Sequence, residues 1–129
     1  MTFSAIKRQK SDLGSEKNMS GKMTIEDFES DLGALQGLIS YYAENNELDM
    51  LFDFAYPDHQ KQLAELEAAL QEIAMYEPVK AALAQSEVLA RQGKYEEAED
   101  VILEVNRALM RASGTWAKME KRYPPKNAS

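Results

Sequence analysis

The sequence predicts an all-α protein, an antiparallel helical bundle of four main helices plus one short helix. Three observations predict it. Apolar residues recur at three- and four-residue intervals along nearly the whole chain, no stretch alternates as a strand does, and the interruptions fall at Asn, Pro and Gly. At 129 residues, 44% hydrophobic and 29% charged, the chain is long enough for one domain with its own core.

The first helix opens at Thr24, with Asp27 three residues on as in a capping box and Met23 and Phe28 placed as a hydrophobic staple. Its stripe is Ile25, Phe28, Leu32, Leu35, Ile39, Tyr42, and Asn45-Asn46 is a stop. Residues 47–56 predict a short helix with apolar residues on more than one side. Pro57-Asp58 punctuates, and a helix from Asp58 to Tyr76 follows on the stripe Leu63, Leu66, Leu70, Ile73. A new helix starts at Pro78, which disfavours α conformation at Glu77 and suits a first turn. It uses Val79, Ala82, Leu83, Ser86, Leu89 and Ala90, and Gly93 ends it. The last helix opens at Lys94 with the stripe Tyr95, Ala98, Ile102, Val105, Leu109, Ala112, Trp116, Met119, Tyr123. Because this phase never slips, the helix is expected to pass through Gly114 to about Arg122, with acids at its start and bases at its end as the helix dipole prefers.

The net charge of −7 is unevenly spread. Residues 1–22 and 117–129 are each +3, so the body carries −13. Residues 23–60 contain nine acids and no Lys or Arg. The first 22 residues, rich in Ser, Lys and Gly, predict a disordered basic tail ahead of a helical domain over 23–123, and 124–129 predict a frayed end. No apolar stretch follows the basic residues as in a secretory signal, and the run from Leu32 to Ala43 is too short to span a membrane. A cytoplasmic protein is expected. The acidity argues against nucleic acid or an anionic membrane as a direct partner.

Chemistry is sparsely signalled. Zero Cys excludes disulfides, thiolate nucleophiles and Cys-based metal sites. His59 is the only histidine, on the edge of the stripe containing Leu63 and Leu66, where a structural role is expected. Glu44, Glu47, Asp49 and Asp53 lack the glycine and alternating ligands of a calcium loop and predict a solvated acidic face. No enzymatic activity, metal or cofactor is expected.

Residues 91–98, Arg-Gln-Gly-Lys-Tyr-Glu-Glu-Ala, place Gly93, Tyr95 and Ala98 at a turn between helices, with Ser86 and Leu89 at small and large positions before it. This pattern resembles a single tetratricopeptide repeat over residues 79–110. Ala82 stands where that family has a large aromatic, Met110 replaces its closing proline, and no second copy is present. The resemblance implies binding of a protein or peptide, as in co-chaperones and adaptors.

Two further features point to contacts. Gly33 and Gly37, at i and i+4 on the first helix, predict close approach of another backbone, from this chain or from a second copy. With the long last helix carrying Trp116, they lead to the expectation of a homodimer. The stretch 41–56 holds five of the eleven aromatics among acids. Tyr41, Tyr42, Leu48, Met50, Leu51, Phe52, Phe54 and Tyr56 are the candidate partner-binding residues. Helical spacing sets Leu48, Leu51, Phe52 and Ala55 on one face, with Met50 and Phe54 on another. The stretch either meets a partner or is clamped between two layers of its own core. The function expected is that of a small protein that binds another protein, such as a transcriptional regulator, and inhibits or masks it. A co-chaperone or adaptor, or an acidic mimic of DNA, are the alternatives.

Overall fold

Thr24 closes a capping box, its hydroxyl accepting from Asp27 N and its own N–H donating to the Asp27 carboxylate, both at 3.1 Å. From there α1 runs over Ile25–Glu44. The structure, a computed structural model, describes residues 22–122. Apart from Lys22, the expected basic tail and the expected frayed end lie outside the described residues. Next come α2 (Leu48–Met50), a π-helical segment (Leu51–Ala55), α3 (Tyr56–Glu65), α4 (Glu67–Glu72), α5 (Tyr76–Arg91), α6 (Tyr95–Ser113) and α7 (Thr115–Arg122). The fold is all-α, with no strand among the described residues.

Three of the corners are the same device. At Asn46, Ala74 and Gly93 the backbone turns to φ of +58°, +60° and +81°. The following N–H reaches back to a carbonyl five residues earlier: Glu47 to Tyr42 at 2.8 Å, Met75 to Leu70 at 2.9 Å, Lys94 to Leu89 at 2.9 Å. This is the Schellman closure, which satisfies carbonyls left open by the ending helix. Asn and Gly enter the left-handed region readily, whereas Ala74 does so against its Cβ, held by burial of Met75 and Leu70 on either side of the turn.

Pro57 does not break the chain as expected. Helical backbone continues from Leu48 through Glu65, and the turn ahead of the proline widens, with Tyr56 N–H bonding Leu51 O in an i→i+5 closure. Proline supplies no N–H and crowds the carbonyl four residues back, and the wider turn absorbs both effects. The helix expected to run to Tyr76 instead breaks at Leu66 and again at Ala74, and the next begins at Tyr76 with Pro78 in its first turn. The last helix is also shorter than expected. Gly114 adopts φ +93° and divides α6 from α7. Past Leu109 the apolar stripe finds little cover, with Ala112 and Met119 exposed and Trp116 half-buried, so little packing favours an unbroken helix.

Four helical rods close the bundle: α1, the α2–α3 rod, α5 and α6. α6 runs antiparallel to α1, since Glu99 pairs with Ser40 while Asn106 and Ser113 pair with Glu29. It also runs antiparallel to α5 across the Gly93 corner. The core is made by Phe28, Leu32, Leu35 and Ile39 of α1, Leu51, Tyr56 and Leu63, Val79 and Leu83 of α5, and Ile102 and Leu109 of α6. No helix among the described residues is long and apolar enough to cross a membrane.

Candidate functional site

The i→i+5 turn decides which side chains of 48–56 face inward. It brings Leu51 and Tyr56 nearly into line, and both are fully buried. Leu51 and Tyr56 therefore belong to the core, not to the contact surface assigned to them above. Tyr42, Leu48 and Phe52 are half-buried against that core. Phe52 stacks on Tyr56 (centroids 6.1 Å apart, planes at 9°) and is roofed by the Arg91 guanidinium at 4.3 Å, which is itself held by Glu87 at 2.8 Å. Of the eight candidate residues, Tyr41, Met50 and Phe54 are exposed, at 55%, 38% and 56%.

Met50 and Phe54, one turn apart on the outer side of the rod, form the apolar centre of the candidate site. Glu47, Asp49, Asp53 and Asp58 are exposed around it in sequence. Tyr41 stands on the last turns of α1, edge-on to Tyr42 at 5.6 Å. A large apolar pair with four acids near it in sequence can bury against an apolar surface edged with bases, and those acids favour that partner over an acidic one.

Beneath this face lies a polar relay that sequence reasoning missed. Tyr56 Oη and Ser86 Oγ are 2.7 Å apart, and Ser86 Oγ donates to Ala98 O at 2.9 Å. A serine hydroxyl has one proton, which the carbonyl takes, so Tyr56 is the donor to Ser86. Burial pushes the Tyr56 hydroxyl up to about 12, against a partial opposing effect of the Ser86 bond. A serine within an otherwise apolar stripe was the signal available in the sequence.

His59 is buried, as a structural histidine would be. Its Nδ1 lies 2.8 Å from Ala55 O and its Nε2 2.9 Å from Asp31 O, joining α3 to α1 beside the Phe28 ring. Burial raises the Asp31 carboxyl above its usual range, partly opposed by His59 and by the Gln62 side chain. No cluster of three or more metal-ligating side chains occurs among the described residues.

Glu29 was counted above with the acidic run, yet it is 4% exposed and turned inward. Ser113 Oγ donates to its Oε2 at 2.5 Å, and its Oε1 has no hydrogen-bond partner among the described residues. Hollows also lie on the surface of the described residues. One, of about 440 Å³, lies at the Gly93 corner between Tyr95 and the Ser40–Glu44 end of α1. Another, of about 390 Å³, lies between α5 and α6.

The expected close approach of another backbone at Gly33 and Gly37 is not made among the described residues. A Cβ on Gly33 would sit 3.9 Å from Asn106 Nδ2, and one on Gly37 would meet nothing within 4 Å. Both residues are exposed. Replacing both by Ala therefore raises thermal stability, by about 1 kcal/mol per site from helix propensity. A lower unfolding midpoint for the isolated chain would contradict the open geometry. Comparison with known protein families, with curated proteins and with solved structures finds no match for this chain.

Proposed function

We propose that the protein is a non-enzymatic regulator that binds another protein, of the kind a transcriptional regulator represents, and masks its working surface. The observation that carries this reading is the outward pair Met50 and Phe54, apolar and exposed, with the exposed acids Glu47, Asp49, Asp53 and Asp58 nearest to it in sequence. Aromatic and Met anchors dominate binding energy where they can be fully desolvated. The partner has an apolar patch with basic residues at its edge.

The test is affinity capture with the full chain and with M50D/F54D, together with circular dichroism. The double variant keeps its helicity, because neither side chain supports the core, and loses captured partner at least tenfold. Unchanged capture, or collapse of helicity, would sink this assignment.

A second reading, an adaptor or co-chaperone built on the tetratricopeptide-like hairpin, is supported by the hollow beside Tyr95. It places binding at Lys94 and Tyr95 instead, so loss of capture on changing those residues, with M50D/F54D unaffected, favours it. Mimicry of DNA has less support, since Glu29 turns away from solvent to meet Ser113.

A further inference from the structure

α7 is an amphipathic helix on which Trp116 is half-buried and Met119 exposed. Trp116 and Met119 lie one turn apart, Lys118, Lys121 and Arg122 accompany them, and none of its eight residues is buried. The contacts of Trp116 are local: the Arg111 guanidinium lies 4.6 Å from its ring centroid, and its Nε1 donates to Glu120 at 2.9 Å. Helices this short are marginal in water without a surface to pack on.

The hollow between α5 and α6 offers such a surface. Its apolar floor is half-buried Val101 between the almost fully buried Ala82 and Val105, and Gln85, Asp100 and Glu104 are its polar edge. The helix carries three bases and Glu120, a net of +2, and the hollow carries two acids, a net of −2. The two belong to one chain but do not meet within it. Gly114 is the single residue outside helix between α6 and α7, whereas folding one helix back along another takes about two to five loop residues. Ser113, tied to Glu29 and to Thr115, fixes the angle at which α7 departs.

We propose that α7 docks in the α5–α6 hollow of a second copy of this chain. Trp116 and Met119 cover Ala82, Val101 and Val105, while Lys118, Lys121 and Arg122 lie against Asp100 and Glu104. Each copy gives a helix and receives one, so the pair closes with two-fold symmetry. The Met50–Phe54 face stays outside this contact.

Sedimentation equilibrium of the full chain tests it, using two charge-reversed variants at exposed positions, D100K/E104K and K118E/K121E/R122E. The native chain is a concentration-dependent dimer that weakens with added salt. Each variant alone associates at least tenfold more weakly. An equimolar mixture of the two recovers the dimer, because each reversed helix then meets a reversed hollow and each native helix a native one. W116D/M119D loses the dimer without recovery in any mixture with itself. A native chain that stays monomeric at hundreds of micromolar, charge variants that dimerise like the native chain, or a mixture that fails to recover would each overturn the proposal.

Discussion

Replacing Tyr56 by Ala unfolds the bundle or nearly so, while Tyr56→Phe leaves it folded but weaker. The ring is fully buried where α3, α5 and α6 meet, stacked on Phe52, and its removal costs about 3–5 kcal/mol from lost burial and the cavity left behind. A domain of this kind has only about 5–15 kcal/mol in total. Tyr56→Phe keeps the ring and removes one buried hydrogen bond, a loss of about 1–2 kcal/mol. Ser86 still reaches Ala98 O in that variant.

The same residue sets an alkaline limit. In the unfolded chain Tyr56 ionises near 10.0, and in the folded one burial pushes it up to about 12. The folded state thus holds a proton that the unfolded state has released. Stability from this group is intact below pH 10 and falls as the pH rises towards 12, by about 1.4 kcal/mol per pH unit in that window. Urea titrations at pH 9 and pH 11 check the point. The stability gap between wild type and Tyr56→Phe narrows at the higher pH, and absorbance shows one tyrosine ionising late. A gap that holds constant would mean that Tyr56 is not shielded as described.

His59 carries the second large effect. His59→Ala opens a cavity beside Phe28 and removes the side-chain hydrogen bonding that ties α3 to α1, at about 2–4 kcal/mol. His59→Phe keeps the volume and loses only the polar bridge, so it falls between Ala and wild type in chemical denaturation. A Phe variant as stable as wild type at neutral pH would remove the bridge from the account.

Much of the fold was legible because it is local. The capping box at Thr24 and Asp27 needs only residues three apart, and the stripe of α1 states its own inward face. Asn46 and Gly93 announce corners because those residues tolerate positive φ. Ala74 turns through the same motif without any such mark, and only the burial of Leu70 and Met75 accounts for it. Periodicity also separated Met50 and Phe54 from Leu48, Leu51, Phe52 and Ala55, and the structure places the first pair outside and the other four inward. Tyr56 ranks among the contact candidates as one of the aromatics of 41–56, although its spacing of four from Phe52 sets it on the inward face, where the structure buries it.

The bundle itself, its helix-forming stripes and the acidic, aromatic character of 41–56 were determined by the sequence, since propensity, capping and patterning act over a few residues. Tertiary structure alone decided how Pro57 is absorbed, that α6 stops at Gly114, and that Glu29 turns inward to Ser113 while Met50 and Phe54 turn out. Those outcomes depend on which distant surface each side chain finds. An apolar stripe specifies a preference for cover, and only the packed bundle determines how much cover there is.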